Sequence, residues 1–133
     1  MLFQILVCDD DPEIRAALRR TLCRHEVTTV ASPAEGLAAL KARRYHAVIS
    51  DFELGAESDG LEFLQVVRLM YPDTVRFLVT GSRDLQVVIR AVNEGSVHRY
   101  FLKPWDDETL AGAIAVQLHA HGGGSERPAP APT

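Results

Sequence analysis

The chain has 133 residues, the size of one domain. Hydrophobic residues make up 47% and charged residues 24%, a balance that suits a folded core and excludes a disordered chain. Fourteen basic residues against 18 acidic ones leave a formal net charge of −4, which argues against direct binding to nucleic acid or to an anionic membrane surface. No apolar run approaches the roughly 18 residues that a membrane span needs. The apolar start, Met1 to Cys8, lacks a basic flank and runs into Asp9-Asp10-Asp11, so it is not expected to be a signal peptide. Cys8 and Cys23 fit no metal or redox spacing, and two cysteines build no disulfide framework. A reducing cytoplasm is the expected compartment.

Taken in chain order, apolar runs of strand length alternate with amphipathic helical stretches. Phe3 to Cys8 is a nearly all-apolar first strand. The first helix has Asp11 as N-cap and Pro12 at its first position, with Ile14, Leu18 and Leu22 spaced by four. Val27 to Ala31 is the second strand, and Ser32-Pro33-Ala34-Glu35 forms a capping box for the second helix, which carries Leu37 and Leu40. Ala47-Val48-Ile49 is a third strand that ends at Ser50-Asp51. Asp59 caps a third helix carrying Leu61, Leu64 and Val67, and Val75 to Thr80 is the fourth strand. Leu85, Val88, Ile89 and Val92 mark a fourth helix that stops near Gly95. His98 to Leu102 is the fifth strand, and Asp106 caps a fifth helix with Leu110, Ile114 and Leu118. Glycines 122–124 are expected to stop that helix. The folded unit is therefore 1–121, and 122–133, without a large apolar residue, reads as a flexible tail or linker.

Five βα units predict an α/β fold: a doubly wound, five-stranded parallel sheet with five helices on its two faces. Ligands of such sheets sit beyond the carboxyl ends of the strands, so function should be written there. The first strand exits into Asp9, Asp10 and Asp11, and the third into Asp51. The fourth exits into Thr80-Gly81-Ser82 and the fifth into Lys103-Pro104. Capping accounts for Asp11 but not for Asp9, Asp10 and Asp51 together. Three carboxylates brought close stay ionised only beside a cation. Mg²⁺, a hard dication that takes oxygen ligands and keeps several waters, suits them. A lysine and a threonine hydroxyl beside such a metal suit a phosphoryl group, and a carboxylate is a competent covalent phosphoryl acceptor.

Asp9-Asp10, Ile49-Ser50-Asp51, Leu78-Val79-Thr80-Gly81 and Tyr100-Phe101-Leu102-Lys103-Pro104, each at a strand exit and in this order, resemble the receiver domain of two-component response regulators. The resemblance covers essentially all of 1–121 and implies the flavodoxin-like strand order 2-1-3-4-5. It implies that Asp51 is the phosphoacceptor and that Mg²⁺ is held by Asp10 directly, by Asp9 through water, by Asp51 and by the backbone carbonyl of Glu53. It further implies that Lys103 and Thr80 contact the phosphoryl group and that Thr80 and Tyr100 form the switch. The expected donor is a phosphohistidine on a sensor histidine kinase or histidine phosphotransfer protein. A downstream effector, or a second receiver, would meet the face formed by helix four, strand five and helix five, with Trp105 either at its rim as an anchor or packed under helix five. Such a domain is not a conventional enzyme, though it catalyses its own phosphorylation and dephosphorylation.

One departure from the family pattern stands in the loop after Asp51. The usual proline is absent and Gly60 lies nine residues beyond Asp51 rather than the usual smaller step. The altered loop motivates an alternative reading, a phosphorylation-independent interaction module on the same fold. A Mg²⁺-dependent phosphohydrolase with a nucleophile on strand one is a third reading, but nothing in the chain builds a substrate cap. An FMN-binding flavodoxin is disfavoured because the first loop is acidic.

Overall fold

The computed structural model describes residues 2–54, 60–81 and 85–123. Its elements run β1 (Gln4–Cys8), α1 (Pro12–Thr21), β2 (Glu26–Val30), α2 (Pro33–Ala42), β3 (Ala47–Asp51), α3 (Gly60–Met70), β4 (Val75–Thr80), α4 (Leu85–Asn93), β5 (Arg99–Leu102) and α5 (Asp107–Gly123). The strands form one parallel sheet in the order β2-β1-β3-β4-β5.

Side chains alternate across the sheet as the pleat requires. Ile5 and Val7 of β1, Ile49 of β3 and Phe77 and Val79 of β4 meet Leu18 of α1 and Leu110, Ile114 and Leu118 of α5 on one face. Leu6, Val48 and Leu78 turn to the other face and meet Leu40 of α2, Phe63, Leu64 and Val67 of α3 and Val88 of α4. Burial on both faces explains why β1, β3 and β4 are mostly apolar, with buried Arg76 the charged exception in β4, whereas the edge strands β2 and β5 are only partly covered. Each fully buried Leu or Phe stabilises the fold by about 1.5–3 kcal/mol, so these two layers hold the strand exits rigidly in line.

The helix starts follow the sequence. Asp11 accepts from the Glu13 amide at 2.9 Å, Ser32 from that of Glu35 at 3.2 Å, and Asp106 from that of Thr109 at 2.9 Å. The expected cap of α3, Asp59, lies outside the described residues. Several boundaries differ from expectation: β1 starts at Gln4 rather than Phe3, and β2 runs Glu26–Val30 rather than Val27–Ala31. The strand β5 starts at Arg99, because His98 turns its ring onto the neighbouring strand, where Nδ1 accepts from the Arg76 amide at 3.0 Å. And α5 continues through Gly122 and Gly123, past the expected end at 121: a helical glycine costs only about 1 kcal/mol relative to alanine. Residues 124–133, the rest of the expected tail, lie outside the described residues.

Candidate functional site

Strand register assembles the site. Cys8 pairs with Ser50, Asp51 with Val79, and Thr80 with Leu102. The residues one step beyond, Asp9 and Lys103, therefore arrive beside Asp51 and Thr80. Asp9 is completely buried, Asp51 is 7% exposed, and Asp10 faces solvent. One carboxylate oxygen from each of the three lies within 4.8 Å of the others. The Lys103 ammonium stands 2.9 Å from Asp51 Oδ1 and 3.7 Å from Asp9 Oδ2. Its own amide donates to the Thr80 carbonyl at 2.9 Å, and the Lys103–Pro104 peptide is cis.

Local bonds hold these side chains. Asp9 Oδ1 accepts from the Asp11 amide at 2.9 Å, while an Arg15 guanidinium nitrogen donates to the Asp9 carbonyl at 2.8 Å. The Ser50 hydroxyl donates to the Asp51 carbonyl at 2.9 Å. Gly60 closes the loop: its amide donates to the Phe52 carbonyl at 2.7 Å, so close in that a Cβ would lie 1.8 Å from the Asp51 carbonyl oxygen. The side chains at 55–59, Glu57 among them, lie outside the described residues.

The electrostatics are those of too many buried carboxylates for one ammonium. Burial pushes Asp9 up to about 6 from 3.8, with the charge of Asp51 adding to it and the Asp11 amide and Lys103 opposing it. Burial also raises Asp51, against the hydrogen bond and charge of Lys103. Burial alone would lower Lys103, but its hydrogen bond to Asp51 and the charges of Asp51 and Asp9 outweigh that and hold it above its ordinary value. Among the described residues, Asp9 Oδ2 is the buried side-chain oxygen with no hydrogen-bond partner. An all-oxygen donor set with an orphaned buried carboxylate oxygen fits a hard dication.

Thr80 is completely buried at the end of β4, next to the residue paired with Asp51. Tyr100 is half-buried on the α2–α4 side and lines an open groove with Val92, Arg99 and Leu102. Glu53 is exposed. Of its two expected places, the rim of the α4–β5–α5 face and the space under α5, Trp105 takes the second. Its ring packs on the α1–α5 side of the sheet, and its indole N–H donates to Thr21 Oγ1 and Asp107 Oδ1, each at 3.1 Å. An indole N–H beside a half-buried ring finds a partner where one is offered, and α1 offers it. Sequence reasoning missed Arg15; its one visible signal is a cation near the amino end of a helix, where the dipole disfavours it.

The description of the response regulator receiver domain matches residues 5–115. The chain belongs to this family. Among curated relatives, the hydrogenase transcriptional regulatory proteins HoxA of Bradyrhizobium diazoefficiens and Cupriavidus necator are 35% and 34% identical over 86% and 89% of this receiver. The receiver spans 24% of the length of each. Among solved structures, the signal receiver domain of an HD domain-containing protein from Pseudomonas fluorescens superposes with a TM-score of 0.85 at 32% identity, covering 95% of this chain and 93% of that one. A structure described as adenylate cyclase from Rhodopirellula baltica gives a TM-score of 0.87 at 31% identity, covering 96% and 95%. The five-stranded sheet with order 2-1-3-4-5 and five helices is the receiver fold. The family is a signalling domain rather than a classical enzyme, and its acidic pocket is where receiver domains bind Mg²⁺.

Proposed function

We propose that this receiver accepts a phosphoryl group on Asp51 and, on doing so, reshapes a partner-binding face. The observation that carries the reading is the ion pair of Asp51 with Lys103 at 2.9 Å inside a cluster of three carboxylates. One Asp51 carboxylate oxygen attacks the phosphorus. The bond from phosphorus to the donor's histidine nitrogen breaks, and its electron pair returns to the imidazole, which takes up a proton. The donor is a phosphohistidine of a sensor histidine kinase or phosphotransfer protein. Asp10, Asp51 and the Glu53 carbonyl would hold Mg²⁺, with Asp9 acting through water. When bound there, the ion supplies positive charge toward the phosphoryl oxygens. Lys103, kept as an ammonium, follows the negative charge from the carboxylate to the phosphoryl oxygen, and the Thr80 hydroxyl donates to another. Attack of water on the acyl phosphate resets the domain.

The face read by a downstream effector or a second receiver is α4–β5–α5. Ile89 of α4, Leu102 of β5 and Val116 of α5 are exposed, and α5 carries no lysine or arginine, so docking uses apolar contact rather than a charge-paired dimer. No described helix is long and apolar enough to cross a membrane, and a cytoplasmic setting agrees with the donor. Intact-mass measurement after incubation with acetyl phosphate and Mg²⁺ tests the reading. The native chain gains one phosphoryl group and Asp51→Asn gains none. A native chain that gains none would leave the phosphorylation-independent interaction module in its place, and a phosphopeptide at another residue would overturn the assignment to Asp51.

A further inference from the structure

The helix α1 begins at the acidic pocket, and most of its charges obey the axial dipole: Glu13 lies in the first turn, Arg19 and Arg20 in the last. Arg15 does not. It stands one turn from the start, with its amide donating to the Asp11 carbonyl at 3.0 Å, and its half-buried side chain folds back over the helix start to reach the Asp9 carbonyl at 2.8 Å.

That carbonyl belongs to the peptide unit joining Asp9 to Asp10. The unit is planar, so fixing its oxygen fixes the plane from whose two ends both carboxylates depart. The remaining polar groups of Asp9 are held separately. Its amide donates to the Val30 carbonyl at 3.1 Å, and Oδ1 accepts from Asp11 at 2.9 Å. With the Arg15 bond in place, Oδ2 is the polar atom of Asp9 left without a hydrogen bond, buried 3.7 Å from the Lys103 ammonium. A guanidinium suits this role, since it stays charged and can bond a carbonyl without being deprotonated.

We propose that Arg15 is a positioning residue for the divalent-cation site: it orients the Asp9–Asp10 peptide so that both carboxylates converge, without touching the ion or the phosphoryl group. This rests on the proposed function's assignment of Mg²⁺ to that cluster. Arg15→Ala removes the bond while improving helix propensity and relieving an unfavourable dipole contact, so the metal-free protein should melt no lower than native. Groups that orient metal ligands typically cost about tenfold or more in affinity when removed. By calorimetric titration with Mg²⁺ at neutral pH, Arg15→Ala should bind about tenfold more weakly, and Arg15→Lys, which keeps a cationic donor on a long stem, should recover most of the loss. In acetyl phosphate labelling, the Mg²⁺ concentration for half-maximal rate should rise in Arg15→Ala while the rate at saturation changes little. Native affinity in Arg15→Ala would overturn the proposal, as would a loss that merely tracks a lower melting temperature. A native chain that binds no Mg²⁺ would instead overturn the metal assignment on which the proposal rests.

Discussion

Asp9 carries a cost in its own fold. It is completely buried, it shares its site with Asp10 and Asp51, and its Oδ2 has no hydrogen-bond partner. Its carboxyl is raised in the folded state to about 6 from 3.8 by burial first of all. A carboxyl raised by folding contributes fully below its unfolded value and turns unfavourable as pH rises through the folded one. At neutral pH the charged form therefore costs about 1–3 kcal/mol in the absence of a cation. Asp9→Asn keeps an oxygen to accept from the Asp11 amide and removes the charge. It should raise the metal-free melting temperature at neutral pH by ~3 °C or more and shrink the further rise that Mg²⁺ produces by binding the native state. A variant that melts below the native protein without metal would show that the Lys103 contact outweighs the burial cost.

Between elements, the closest approach at any described glycine is where α3 starts against the end of β3. Gly60 cannot carry a side chain there: a Cβ would sit 1.8 Å from the Asp51 carbonyl and 2.7 Å from Ser50 Oγ. The strand has little room to yield, since the Phe52 amide is tied to the Val79 carbonyl at 3.0 Å. Gly60→Ala should destabilise by about 2–3 kcal/mol and slow phosphoryl acceptance by displacing Asp51. Urea unfolding and labelling rates check both, and native values would mean that α3 slides freely past β3. The positions of Asp51 and Lys103 were legible in the sequence because each stands at the end of a largely apolar run whose length and order dictate a parallel sheet, and parallel register does the rest. The bonds that trim the elements were not. His98 accepts from a residue 22 positions earlier, so no local pattern marks the start of β5. Trp105 sits just past a strand exit, where sequence does not say which side of the sheet a ring will take; its anchor, Thr21, lies 84 positions away. The Arg15 bond carries no mark in the sequence because its partner is a backbone carbonyl, which has no sequence signature.

Across the whole molecule the two ends of the sheet titrate in opposite senses. The carboxylates gather at the carboxyl end, and the histidines at the amino end. His25, His46 and His119 each lie against the Phe3 ring, and His98 lies against His121. Three of them directly precede a strand, and each accepts through Nδ1 from a backbone amide at or just before the start of the strand beside it: His25 from Phe3 at 3.3 Å, His46 from Gln4 at 2.9 Å and His98 from Arg76 at 3.0 Å. A protonated Nδ1 cannot accept, so each bond requires the neutral ring. Burial lowers all three, and nearby positive charge adds to it, with Arg24 near His25, Arg44 near His46 and Arg76 near His98. For His98 the folded value falls from 6.5 to about 4. A histidine lowered by folding contributes fully above its unfolded value, and the contribution is lost as pH falls from there toward the folded one. For His98 that is worth about 1–3 kcal/mol. Without metal, the cost of charging Asp9 grows over much the same range and works against this slope. Mg²⁺ offsets that cost only where the carboxylates are ionised. Saturating Mg²⁺ should therefore steepen the rise in stability between about pH 4 and 6.5, and His98→Asn, whose amide oxygen can still accept from Arg76, should flatten it. Urea unfolding across that range, with and without Mg²⁺, measures both. An unchanged slope in His98→Asn would mean that protons enter the amino end of the sheet without breaking its strand contacts.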